Sequence, residues 1–528
     1  MSIFGPEFEK IWPKAGAALQ LTEFGKKLLK QCENIKKPEQ KDVDINEFKR
    51  KSSNFPLEFG TNTCRVMSQP KDRYPNIQKQ ISSAYPVIHE RVLQLYLDFL
   101  EHKCQYGHAM EKKVYATMSL YGFVQRLLTK RCIVFVGPCD AYMLITGVTG
   151  YGLADYPNIG TDAEVKPLIF QDCLSYDEVK LSAFLSISSH TELINSGTRK
   201  NYGKMEKDLS KIEREGVVIG LIGARFQRPL AMEYQDIVIS PQQNVSERGY
   251  GQQEPTNSSL LTKLSNALFS GKSTGRKEDH EFLSFVDHRK LWEKFYEEPS
   301  FLYKQVKKDR KRFGDVEKIH SAEIFDNVVM KKRYTISFDT LLLEAHARAS
   351  NLNKQAYVHI VGIGLGVWRY AEQQELIFLE TFGQRVRHLL PNLNNIGVLH
   401  FSWFNLSQWG DLKHNGFIES KTHPKGGIIT LMENRNPADK LKEPEFENML
   451  LVISYAWDAN ALPGNEFWQK HLADSSDSSN ASSTLVTELH NPFINTEWVC
   501  GENLHIASAD HGIIHISDYA KKISNVCI

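Results

Sequence analysis

The sequence predicts an α/β protein with a helical amino-terminal region, and three stretches carry that prediction. LLVISYAWDANALPGNEFW (Leu450 to Trp468) opens with an apolar run and breaks into a polar Pro-Gly turn, the pattern of a buried strand delivering polar groups to its carboxyl end. Tyr357 to Val361 is a second buried strand, and it runs straight into Gly362-Ile-Gly364-Leu-Gly366-Val367-Trp368. Ahead of it, TLLLEAHARA (Thr340 to Ala349) has the periodicity of an amphipathic helix. Helix, strand and glycine turn in succession read as α/β, and in open α/β sheets ligands bind where strands end at their carboxyl edge.

The chain has 528 residues, 41% hydrophobic, with 64 Lys+Arg against 63 Asp+Glu. That length allows roughly two to four domains. The balanced charge gives no global argument for binding nucleic acid or an anionic membrane. The amino terminus lacks a basic start followed by an apolar core, and no apolar run approaches the roughly 18 residues that span a bilayer. Eight scattered cysteines without a C-x-x-C pair are the pattern of reduced thiols. A cytoplasmic protein without membrane segments is the expectation.

In chain order, residues 1–130 read as a helical region: Leu93, Leu95, Tyr96, Phe99 and Leu100 recur at helical spacing, and Val114 to Leu128 repeats the rhythm. Lys-rich Asn34 to Ser52 reads as a solvated loop or tail. Residues 131–240 form an α/β lobe, with strand-like runs in Leu181 to Leu193 and Gly216 to Ser240 around an Arg225-to-Glu233 turn. Residues 241–280 are polar and read as a linker; Ser270-Gly-Lys-Ser-Thr274 within them lacks the first glycine and the preceding strand of a phosphate-binding loop. Basic Lys304 to Arg312 reads as a solvated helix face. Residues 281–528 are regular α/β, with a helix from about Ala371 to Leu390 and strands at Gly397 to Phe404 and Gly427 to Leu431.

If the strands at Tyr357 and Leu450 are parallel neighbours, their two loops meet on one sheet edge. Gly362, Gly364 and Gly366, with Val367, then form a turn whose N–H groups aim at a diphosphate, and Trp368 stacks on a base or closes over a ribose. Gly464 and Asn465 in the Pro-Gly-Asn run leave room for further backbone donors. Asp458 and Glu466 can face the same cavity, with Asp477 in the Ser-rich loop as a third acid that closes over it. No metal ligand spacing occurs among the His and Cys residues, and no cofactor is expected.

These pieces resemble a known family. Thr340 to Trp368 looks like the late part of a macrodomain, and IITLMENRNPADKL (Ile428 to Leu441) with Leu450 to Trp468 looks like its early strands, so the order is that of a circularly permuted or divergent domain. Through GIGLGVW, AWDANALPGNE and TELHNPFIN (Thr487 to Asn495) the sequence resembles the atypical macrodomain ADP-ribosylhydrolases typified by the bacterial effector MavL. The resemblance implies a three-layer α/β/α domain over residues 281–528 that binds ADP-ribose and takes it off ADP-ribosylated protein, ubiquitin being one candidate substrate. It implies Asp458 or Glu466 as the carboxylate that activates water at the distal ribose, and Asn460 and Asn465 as ligands of ribose hydroxyls. Two other readings accompany it: a non-catalytic ADP-ribose reader, and an ADP-ribosyltransferase in the 131–240 lobe. The latter rests on a loose likeness of Ser186, Ser188 and Glu233 to the mono-ADP-ribosyltransferases, although Gln235 replaces their second acid.

Overall fold

A computed structural model describes residues 2–14, 19–39, 43–251, 275–316 and 322–526. The center is a ten-stranded mixed sheet. Its strands, numbered in chain order, are β1 (Tyr85–His89), β2 (Ser186–Glu192), β3 (Glu215–Ile222), β4 (Ala356–Ile360), β5 (Ile396–Phe401), β6 (Gly416–Glu419), β7 (Gly427–Met432), β8 (Leu450–Trp457), β9 (His505–Ser508) and β10 (Gly512–His515). They lie in the order β6-β7-β5-β4-β8-β3-β2-β1-β9-β10. The run from β7 through β5, β4 and β8 to β3 is parallel throughout. The sheet therefore draws strands from residues 1–130, 131–240 and 281–528 alike. Residues 252–274 of the expected linker, including the Ser270–Thr274 run, lie outside the described residues.

The main helices, also numbered in chain order, are α1 (Glu90–Tyr106), α2 (Gly275–Tyr296), α3 (Asn327–Asn351) and α4 (Gln374–Leu389). α3 runs across the sheet, touching strands from β10 at one edge to β5 near the other. It extends well beyond the amphipathic segment predicted from Thr340 to Ala349, because its first half buries Lys331, Lys332 and Arg333 with partners that periodicity does not reveal. Arg333, for instance, donates to the Ile222 carbonyl at 2.9 Å and pairs with Glu233 at 3.3 Å.

Several local expectations are corrected. Lys-rich Asn34 to Ser52 is not all loop: Ile45–Ser53 is a helix, with the Asp44 carboxylate accepting from the Asn46 and Glu47 amides. The Val114 to Leu128 rhythm splits into helices Ala109–Tyr115 and Leu120–Thr129, the second capped by Ser119. Basic Lys304 to Arg312 is not a helix beyond a short turn at Tyr303–Gln305, since Arg312 is drawn inward to Asp326 at 3.0 Å and Glu298 at 2.8 Å. Among the described residues, no helix is long and apolar enough to cross a membrane.

α3 is joined to α4 by a buried fork. Arg385 donates to both oxygens of Asp339, at 2.7 and 2.8 Å, and to the Trp12 carbonyl at 3.1 Å. Removing one member strands a charge away from water, which costs more than removing both. Arg385→Met is expected to destabilise the protein by about 3 kcal/mol or more in urea unfolding, and Asp339→Asn added to it should recover part of that loss.

Candidate active site

Three strand ends converge at one edge of the sheet. β4 and β8 pair in parallel with Val358 opposite Val452, and β8 pairs onward with β3 until Trp457 meets Ile222. Beyond these ends the chain continues as Gly223 to Gln227, Gly362 to Trp368 and Asp458 to Glu466. Residues of all three segments line one cleft of about 380 Å³, together with Val136, Gly137, Arg199 and Ser475 to Asp477. The two loops singled out in the sequence do share a cavity.

The glycine loop is shaped for a ligand's approach. Gly364 adopts φ of +74°, a conformation that disfavours any Cβ. The amides of Gly362, Gly364, Gly366 and Val367 donate to no protein acceptor among the described residues. Gly223 backs the loop: a Cβ there would lie 3.0 Å from the Gly364 nitrogen, so only glycine lets the end of β3 sit this close. The Ser454 hydroxyl pins the loop's start by accepting from the Val361 amide at 2.9 Å. Trp368 and Val367 both line the cleft, and the Trp368 ring lies 5.7 Å from the Arg225 guanidinium.

Opposite the glycines stand the acids. Asp458 is half-buried at the cleft, and Asn465 Nδ2 donates to its Oδ2. Burial, and after it the negative charge of Glu466, pushes the Asp458 carboxyl up to about 7, against the opposing pull of Arg225 and the Asn465 hydrogen bond. Glu466 accepts a hydrogen bond from Ser475 Oγ at 2.7 Å. Asp477 is differently placed. Its oxygens accept from the Gly464 amide at 2.8 Å and the Asn465 amide at 3.1 Å, and it shares a hydrogen bond with the Tyr455 hydroxyl. Burial, then Asp458 and Glu466, hold its carboxyl well above the usual carboxylate range.

The two asparagines and Gly464 are structural in this arrangement. Asn460 is buried and faces Cys132 and Tyr156, donating to the Tyr156 hydroxyl at 3.0 Å. Asn465 exchanges hydrogen bonds with the Phe135 backbone at 3.0 and 3.2 Å. Gly464 donates its amide to Tyr455 and Asp477, which fixes the Pro-Gly turn. Of the side chains expected to hold ribose hydroxyls, Asn465 thus holds the 134–136 strand and Asn460 holds Tyr156 and Cys132.

Sequence reasoning missed the cations. Arg225 is buried, donates to the Gly137 carbonyl and to Asp140 at 3.1 Å each, and lines the cleft. Its signal was a strand ending in Gly-Ala-Arg. Arg199 sits on an exposed loop and donates to the Asp474 carbonyl at 2.8 Å; nothing in its sequence context marked it. Arg199, Gly362, Gly366, Ala456 and Ser476 also line a second cavity of about 480 Å³, which continues the first toward His359, Trp403, Phe404 and Asn480. The whole is an elongated cleft with an acidic end, a glycine waist and an aromatic end. By contrast, Ser186, Ser188 and Glu233 are buried, with the Glu233 carboxylate held by Arg333 and the Arg225 amide. Among the described residues, no group of His, Cys, Asp and Glu is arranged to hold a metal ion.

The sequence matches the family model of the MavL-like ADP-ribosylhydrolases over residues 46–522. The chain belongs to the MavL-like ADP-ribosylhydrolase family. It is also 49% identical to the Drosophila melanogaster protein named ADP-ribosylarginine hydrolase CG2909, over 99% of this chain and 98% of that one. With ADP-ribosylarginine hydrolase CG3568 of the same organism it shares 48% identity, over 97% and 95% of the two chains. The match takes in most of the helical amino-terminal region as well as the cleft, and so agrees with a sheet whose strands come from residues 85 to 515.

The raised Asp458 carboxyl has a stability consequence. Unfolded, an aspartate titrates near ~3.9. The folded value is higher, so the folded state binds the extra proton between the two, and stability falls as pH rises across that interval. The cost is absent below about pH 4 and complete above about pH 7. Asp458→Asn is expected to melt higher than the parent at about pH 8, with the difference closing toward about pH 4 in a series of thermal scans.

Proposed function

We propose that the chain hydrolyses the bond between ADP-ribose and an arginine side chain of a modified protein, and that the domain carrying the cleft is macrodomain-like. One observation carries this reading: a cleft lined by Gly362, Gly364, Gly366 and Val367, whose amides donate to no protein acceptor among the described residues, ends on Asp458 and Glu466. The arginine linkage is drawn from the names of the two relatives. It suits the acidic end of the cleft, where carboxylates can receive a guanidinium.

In this reading the adenosine occupies the aromatic end beside Trp403 and Phe404. The diphosphate crosses the glycine waist with Arg199 facing it, and the distal ribose places its anomeric carbon over the acids. Asp458, ionised, takes one proton from a water molecule. The water oxygen bonds to the anomeric carbon as the carbon–nitrogen bond breaks, and the electron pair stays on the guanidino nitrogen. Asp458 then returns the proton to that nitrogen, so arginine and ADP-ribose leave with water consumed. Positive charge develops on the ribose during the step, and Glu466 stabilises it electrostatically. Asp477, with both oxygens engaged, positions the turn that carries Glu466.

Asp458→Asn is expected to keep ADP-ribose binding in calorimetry while slowing release of ADP-ribose from an ADP-ribosylarginine protein by about 10²-fold or more. Undiminished release would remove Asp458 from the mechanism, and binding without release by the parent chain would make it a reader. The parent rate should rise with pH through about 7, where Asp458 ionises. Glu466→Gln removes the neighbouring negative charge and should move that inflection to lower pH as well as slowing the reaction. Gly364→Val introduces a side chain at positive φ beside the free amides; calorimetry should show ADP-ribose binding weakened by about tenfold or more.

A further inference from the structure

Among the described residues, the cations that line the acidic cleft are Arg199 and Arg225, and the fold holds them in opposite ways. Arg199 lies on an exposed loop and lines both cavities, so it stands where the two join. Arg225 lines the acidic cleft and not its aromatic continuation, and it is only 1% exposed. Strand order explains its place. β3 ends with Ile222 opposite Trp457 of β8, so the segment carrying Arg225 leaves the sheet beside the one carrying Asp458. The Arg225 charge is felt there, where it opposes the upward push on the Asp458 carboxyl.

The Arg225 guanidinium is fixed from one side and unspent on the other. Nη2 donates to the Gly137 carbonyl and to Asp140 Oδ1, at 3.1 Å each. Asp140 is itself held, since the Tyr176 hydroxyl donates to its Oδ2 at 2.6 Å. The ring centres of Phe135 and Trp368 lie 4.4 and 5.7 Å from the guanidinium carbon. Nε, by contrast, is buried without a partner, and Nη1 donates to no protein acceptor among the described residues. A buried cation with idle N–H groups is costly unless an acceptor reaches it from the cleft.

We propose that Arg225 binds the phosphate next to the distal ribose, leaving the adenosine-side phosphate to Arg199, and that the cleft thereby selects a diphosphate over a monophosphate. The inference rests on the hydrolase reading above and on its placement of adenosine at the aromatic end. Along the cleft the order is then aromatic end, Arg199 at the junction, Arg225, and the acids, which is the order of adenosine, first phosphate, second phosphate and distal ribose. A phosphate oxygen gives Nη1 a charge-assisted acceptor. The same anion meets the glycine loop, because Gly223 lies so close to Gly364 that a Cβ on it would stand 3.0 Å from the Gly364 nitrogen. Asp140, Phe135 and Trp368 hold the guanidinium before the ligand arrives, so little freedom is lost on binding. Arg225 touches the ligand one phosphate away from the bond being broken and sets where the ribose stops against Asp458.

The test uses the full chain, its Arg225→Met variant and its Arg225→Met/Asp140→Asn variant, the second of which removes both charges of the buried pair and strands neither. Dissociation constants for AMP, ADP and ADP-ribose are measured by calorimetry at a temperature where thermal scans show each protein folded. The parent should bind ADP about tenfold or more tighter than AMP. Both variants should bind AMP as the parent does, and lose that gain on ADP and on ADP-ribose alike. A parent that binds AMP as tightly as ADP overturns the proposal without recourse to any variant. So does an ADP-to-AMP preference that either variant keeps. Equal losses on AMP and ADP would make Arg225 a brace of the Gly137 wall and overturn it as well. Release of ADP-ribose from an ADP-ribosylarginine protein is followed in parallel. Arg225-dependent ADP binding by a parent that releases nothing would overturn the hydrolase reading and keep the phosphate site.

Discussion

The cleft depends on the parallel pairing of β4 with β8. Parallel strands finish at the same edge, so loops separated by some ninety residues of sequence open side by side. The register matters as much as the direction. A slip of one residue would turn Asp458 to the other face and aim Gly364 away from it. Both strands are buried along nearly their whole length, and burial on both faces is what makes the register firm.

The second constraint is electrostatic. Three carboxylates, Asp458, Glu466 and Asp477, are gathered at one end of a cleft whose buried cation, Arg225, already answers to Asp140. Crowded acids cannot all ionise cheaply, which is why the Asp458 and Asp477 carboxyls are held high. The surrounding hydrogen bonds from Tyr455, Gly464, Asn465 and Ser475 resist the repulsion and fix the loop that would otherwise spring apart. The crowding costs stability above about pH 7, where Asp458 is ionised.

The amino-terminal half is part of the site as well as of the sheet. The segment after β3 supplies Gly223 and Arg225, the 134–136 strand supplies one wall, Asn465 ties that wall to the acid loop, and Asn460 ties the loop to Tyr156. The family match, from residue 46 onward, takes in all of these segments. A carboxy-terminal piece alone would lack β3, which lies directly against β8.

The sequence by itself determined the α/β class, the strands at Tyr357 and Leu450, the glycine loop, the acids Asp458 and Glu466, and the family likeness. Each is written locally: apolar runs set strands, glycines permit a turn, and a Pro-Gly break follows a buried strand. Only the tertiary structure decided that Arg199, Arg225 and Gly223 belong to the cleft, and that Asn460 and Asn465 brace it from behind. It also decided that strands from residues 85–89, 186–192 and 215–222 complete the sheet. The reason is physical. A side chain's role depends on which distant backbone lies within about 3 Å of it, and that is set by strand order and register, which no window of sequence contains.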